Sequence, residues 1–225
     1  MTTLSLSFRT PIIVLIAMIT ANFSVPAGAQ TAPSQDDLHV PEQSPANARS
    51  FGERLSDAAI TRTRSRVTYD PSYVRLGYPG GDVPKDRGVC ADVVIRVLRT
   101  ENIDLQKLVH QDMRKAFASY PALWGLSNPD RNIDHRRVPN LEKYLTRQGA
   151  RLPASQQPED YMPGDIVAWN LRGDAGFQPH IGVVTDKKGT SGWPLVVHNI
   201  GAGPRLEDVL FAWPMTGRYR LAPVE

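Results

Sequence analysis

The chain has 225 residues, 41% of them hydrophobic, which is enough for one compact domain with a core of its own. Its 26 basic and 23 acidic residues leave a formal net charge of +3, and the basic ones are scattered, which argues against a nucleic-acid binder and only weakly for an anionic partner. A single cysteine excludes any internal disulfide, so the fold must be held by packing alone.

The first 29 residues read as a signal peptide. Arg9 supplies the positive start, Pro11 to Ala21 is an apolar run too short to span a bilayer comfortably, and Ala27-Gly28-Ala29 fits a small-x-small cleavage site. Cleavage before Gln30 leaves a periplasmic or secreted chain with no stable membrane anchor. It removes Arg9 and no acid, so 25 basic residues then face 23 acidic ones. Residues 30–48, rich in Pro, Gln, Ser and Ala, read as a flexible leader that includes His39, and residues 49–225 as the domain.

Within the domain, Ser50 and Glu53 form a capping-box pattern ahead of Phe51, Leu55, Ala58 and Ala59, which predicts a helix ending before Asp70-Pro71. A loop from Leu76 to Pro84 leads to a helix over Val89–Thr100, with Asp86 as its expected N-cap and Cys90 in its first turn. Another helix follows Asp104, with Leu105, Leu108, Val109, Met113 and Phe117 as its stripe, and His110 is expected at the surface. A polar loop from Asn128 to Pro139 precedes a short helix carrying Leu141, Tyr144 and Leu145, closed by Gly149. The last third changes period: 166–169, 181–184 and 195–197 are β-rich runs, with further strands expected near 209–213 and 218–221. Helices first and sequential strands after predict an α+β fold, helices packed on one antiparallel sheet.

A thiol in the first turn of a helix meets free backbone amides and the positive end of the dipole, both of which favour the thiolate. The competing reading is a buried, inert cysteine packed with Val93 and Val94. Two histidines favour chemistry. His180 begins one apolar strand and His198 ends the next; on neighbouring strands the two rings share a face at one end of the sheet. Nucleophile, base and orienting group then stand as Cys90, His180 and His198. The sequence has neither HExxH nor paired-cysteine spacing, so no metal or other cofactor is expected. Asp134-His135-Arg136-Arg137 can grip a carboxylate or phosphate, or can be an ion-paired loop in which Asp134 neutralises Arg136. Trp124, Trp169, Trp193 and Trp213 suit either a groove or a core.

On these residues the chain resembles the papain-like cell-wall cysteine peptidases of the NlpC type. Tyr78, Gly80-Gly81, Pro84 and Cys90 follow their order, as do Pro163-Gly164-Asp165-Ile166-Val167 and His180-Ile181-Gly182-Val183. It is more closely similar to family 1287 of bacterial domains of unknown function, through Gly88-Val89-Cys90-Ala91-Asp92-Val93-Val94, residues 132–140 and His198-Asn199-Ile200-Gly201. The resemblance implies a papain-like fold, with Cys90 as nucleophile, His180 as base, His198 as its orienting partner and Tyr78 helping to polarise the substrate carbonyl. It implies an exported hydrolase cutting an amide bond of peptidoglycan stem peptides through a thioester. Tyr78, Asp92, Asp134, His135, Arg136, Arg137 and Asn199 are the candidate substrate-binding residues. Where NlpC-type enzymes read Asp-Cys-Ser-Gly, this chain reads Val89-Cys90-Ala91-Asp92, so their choice of bond does not carry over. A non-catalytic wall-binding module and an envelope acyl or amide transferase are the alternatives, and oligomeric state is left open.

Overall fold

The computed structural model describes residues 49–223; the expected signal peptide and leader, with His39, lie outside the described residues. Among the described residues four α-helices precede the main sheet. They are α1 (Phe51–Arg62), α2 (Cys90–Arg99), α3 (Leu105–Ala116) and α4 (Val138–Arg147). Among them lie the two-residue strands β1 (Thr68–Tyr69) and β2 (Arg87–Gly88). After them come β3 (Arg151–Leu152), β4 (Ile166–Asn170), β5 (Pro179–Lys188), β6 (Pro194–His198), β7 (Arg205–Glu207) and β8 (Met215–Tyr219). The six later strands make one sheet in the order β3-β8-β4-β5-β6-β7, every pair antiparallel. The fold is α+β, with helices packed on an antiparallel sheet as the residue pattern requires.

Local chemistry sets most of these boundaries. Ser50 accepts the Glu53 amide while Glu53 accepts the Ser50 amide, the capping box expected for α1. Asp104 caps α3 through the amides of Gln106 and Lys107. The α2 cap differs from expectation. Val89, not Asp86, is the N-cap, and Asp92 at the third helical position takes the Val89 amide at 2.6 Å. α4 begins at Val138, because Pro139 fits the first turn of a helix rather than closing a loop.

The sheet has two covered faces. Ile166, Ala168, Ile181, Val183, Val197 and Tyr219 face α1 and α2 in the main core, backed by α3 and α4. On the other face Val167, Trp169, Val184 and Val196 meet Tyr161 and Leu210, with Trp193, Phe211 and Trp213 around them. The segment 209–213, expected as a strand, is a turn instead; its large apolar residues cover this second face rather than pair with it. The strand that does precede it, β7, carries a single leucine between charged residues and gives no period-2 signal. At the Pro163-Gly164-Asp165 turn, Gly164 has φ +85°, and a Cβ there would sit 2.6 Å from Gly52 Cα, so glycine allows α1 to dock against the sheet.

Candidate active site

Three segments meet at one end of the sheet. β1 pairs in parallel with β2, setting Tyr69 opposite Gly88, and two residues later Cys90 opens α2. The end of β6 is fastened to the same place by Asn199, whose side chain donates to the Gly88 carbonyl at 3.4 Å and accepts from the Gly201 amide. Asn199 is buried, so it ties the two segments together rather than facing a ligand.

The Cys90 sulfur lies among backbone amides. Those of Ile181, Ala91 and Cys90 itself favour the thiolate, but burial outweighs them, and the thiol is pushed up to about 12. This reverses the expectation that the helix terminus would lower it. Cys90 is 5% exposed, and the loss of solvation exceeds what three amides return.

His180 follows Pro179 on β5, next to the Ile181 amide that faces the sulfur. Its ring stacks on Trp169, its cross-strand partner, with centroids 5.8 Å apart, and lies edge-on to Trp213. His198 pairs in register with Gly182, two residues along the same face, and its Nδ1 is 2.8 Å from His180 Nε2. Gly182 is required here. A Cβ would lie 2.7 Å from Val196 Cγ1 and 3.1 Å from His198 Cβ. On its far side His198 Nε2 is 2.8 Å from Glu207 Oε2. The contact is close but bent, so that Nε2 makes no aligned hydrogen bond. Burial lowers both rings: His180 falls to about 3, with His198 adding to the fall, and the Glu207 carboxylate partly offsets the same effect on His198. The expectation that the two histidines share one face is met. Among the described residues, however, no hydrogen bond joins Cys90 to His180.

The other expected residues fall elsewhere. Tyr78 turns away from Cys90 and packs edge-on against His110 at 5.3 Å, beneath the Arg131 guanidinium. Tyr69 takes the place expected of Tyr78: it lines the groove at Cys90, and burial and the sulfur's charge push its hydroxyl up to about 12. Asp92 is not free for a ligand, since Arg136 grips it bidentately at 2.9 Å with both side chains buried. Arg136 also donates to the Ser72 and Asp70 carbonyls, so it is the anchor of its loop and no anion site. Asp134 neutralises Arg137 rather than Arg136, at 2.9 Å, and also accepts the Asp130 amide. His135 is buried beside Asp92 and Arg136, and burial lowers it to about 4. His110, expected at the surface, is half-buried under Tyr78.

Of the Asp134–Arg137 loop, Arg137 is the member best placed to meet a ligand. It lies 4.1 Å over the Trp124 ring and lines the groove. That groove, about 430 Å³, runs past Cys90 between Tyr69, Tyr73, Trp124, Val138 and Pro179. A smaller cavity of about 100 Å³ shares Trp124 and Arg137 and lies away from Cys90. Among the described residues no group of three His, Cys, Asp or Glu side chains is placed to hold a metal ion.

The family described as Domain of unknown function (DUF1287) matches residues 56–221, which include every residue of this site. The chain belongs to that family. It is 58% identical over 166 residues to a protein of Escherichia coli (strain K12) described as uncharacterized protein YijF, covering 74% of this chain and 80% of that one. Among solved structures it is similar to NlpC1 from Trichomonas vaginalis, at 13% identity and a TM-score of 0.43. That likeness covers 77% of this chain, which spans less than half the length of the NlpC1 chain, at 45%.

Sequence reasoning missed Tyr69 in the groove, and it also missed Glu207 on the far side of His198. The signal that would have found Glu207 is register. Once β6 and β7 pair, Glu207 sits opposite Val196 and diagonal to His198, but a three-residue polar strand does not announce itself.

Proposed function

We propose that this chain is an exported cysteine hydrolase that cuts an amide bond in peptidoglycan stem peptides. The observation that carries it is the pair of buried imidazoles joined Nε2 to Nδ1 at 2.8 Å and flanked by a carboxylate, set beside the start of the helix that bears the chain's one cysteine. Burying two imidazoles side by side is costly unless they are paired, and here each is the other's partner. In this mechanism a substrate filling the groove brings its carbonyl to Cys90, and the thiol proton passes to His180 Nδ1 as the sulfur attacks. Such contacts tighten only when substrate is bound, and unliganded geometry is looser. The Cys90 amide at the helix start and the Tyr69 hydroxyl stabilise the oxyanion, His180 protonates the departing amine, and water then hydrolyses the thioester. The Trp124–Arg137 wall suits a peptide that carries a carboxylate.

A second reading, a wall-binding module without catalysis, is favoured by the raised thiol and by the missing Cys90–His180 bond. The two readings separate on one experiment. Muropeptides incubated with the protein should yield products heavier by one water in total, and Cys90→Ala should yield none. Identical product spectra from both proteins would sink the hydrolase, and muropeptide binding that survives Cys90→Ser would then establish the module.

A further inference from the structure

Glu207 lies outside the groove, on a strand with one apolar residue, yet it reaches the most enclosed polar group of the site. The His198 side chain is fully buried, and both its ring nitrogens have a neighbour at 2.8 Å, His180 Nε2 on one side and Glu207 Oε2 on the other. Trp169 and Trp213 wall both rings, which leaves little room for water to compete. Arg205 stands opposite His198 in the ladder but is exposed, and Leu206 between the two points to the other face of the strand.

Hydrogen-bond arithmetic then fixes the protons. A carboxylate can only accept, so the nitrogen facing it, His198 Nε2, carries a hydrogen. A neutral His198 therefore holds its lone pair on Nδ1, and that atom can only accept. The proton between the rings must belong to His180 Nε2, which leaves His180 Nδ1 unprotonated. We infer that Glu207 is a positioning residue which, acting through His198, sets the tautomer of His180 and reserves its Nδ1 as the proton-accepting atom. An aligned bond at Nε2 requires a rotation of the Glu207 carboxylate, whose side chain is 34% exposed. The use of Nδ1 as a base rests on the hydrolase reading; the tautomer assignment does not.

Long-range proton–nitrogen NMR on the ¹⁵N-histidine-labelled chain reads which ring nitrogens carry protons. The wild type should show one tautomer for each ring, protonated at Nε2 in both His180 and His198. Glu207→Ala should populate both tautomers at His198 and His180 with the backbone amide spectrum otherwise intact. Glu207→Gln, which keeps a carbonyl acceptor, should restore the wild-type pattern. In the hydrolysis assay kcat should fall about tenfold in Glu207→Ala at unchanged KM and recover in Glu207→Gln, a fraction of what acid–base catalysis contributes. Tautomers in Glu207→Ala identical to the wild type overturn the assignment, whether or not the wild type hydrolyses muropeptides. The expected tautomer change in a protein that hydrolyses nothing upholds Glu207 and sinks the hydrolase.

Discussion

Two buried polar assemblies flank Cys90, and they are built on opposite principles. On the loop side, Asp92 and Arg136 form a bidentate pair, and their further bonds go to backbone: Asp92 to the Val89 amide, Arg136 to the Ser72 and Asp70 carbonyls. On the sheet side, His180, His198 and Glu207 form a chain of rings kept neutral by burial, with a bent contact at one end and a free ring nitrogen at the other. A saturated network fixes geometry and has no proton to give. An unsaturated one is less stable and can take part in proton transfer. The residue types alone leave Arg136 open between a cation that grips a ligand and one ion-paired with Asp134, and neither names Asp92.

Breaking the saturated assembly should have the larger effect on stability. Arg136→Met strands the Asp92 carboxylate in the core, and we expect a loss of about 3–5 kcal/mol in urea denaturation. A loss under about 1 kcal/mol would show that the pair is not buried as described.

The second test is acid. His135 and His180 titrate at about 4 and about 3 in the fold, against an ordinary value of 6.5, and His198 is lowered as well. The unfolded chain binds protons that the folded one refuses, so their contribution is complete above pH 6.5. It should decline as pH falls through the window from 6.5 toward 4 and 3, with about 2 kcal/mol lost for each of these two rings, about 4 kcal/mol together, between about pH 7 and pH 5. Denaturation midpoints that stay flat across that interval would contradict the neutral, buried rings.

Gly182→Ala probes the histidine chain without touching a ring. The added methyl group meets Val196 and His198, and overpacking of this kind costs about 1–3 kcal/mol. Turnover should fall further than this loss explains, because His198 is displaced from His180. The smallest effect is expected at Asn199→Ala, about 1 kcal/mol for the lost bonds to Gly88 and Gly201, read as a shift in melting temperature.

Features set by near neighbours are legible in the residues alone. The Ser50–Glu53 box and the Asp104 cap can be read because capping is local: the groups that satisfy one another are two or three residues apart. The helix-then-strand order gives the α+β layout, and a strand's period of two lets His180 and His198 share a face once their strands pair as neighbours. Partners distant in the chain are not legible in this way. Asp92 and Arg136 are 44 residues apart, and nothing in either neighbourhood names the other.

For Cys90, the sequence by itself determined that it is the only thiol, that it opens a helix, and that two histidines follow on neighbouring strands. Only the tertiary structure decided its surroundings. The chain crossing beside it brings Tyr69 rather than Tyr78 to the groove, the covered sheet end raises the thiol instead of lowering it, and strand pairing supplies Glu207. Caps and periods are properties of neighbouring residues, whereas burial and register are fixed only when distant segments meet.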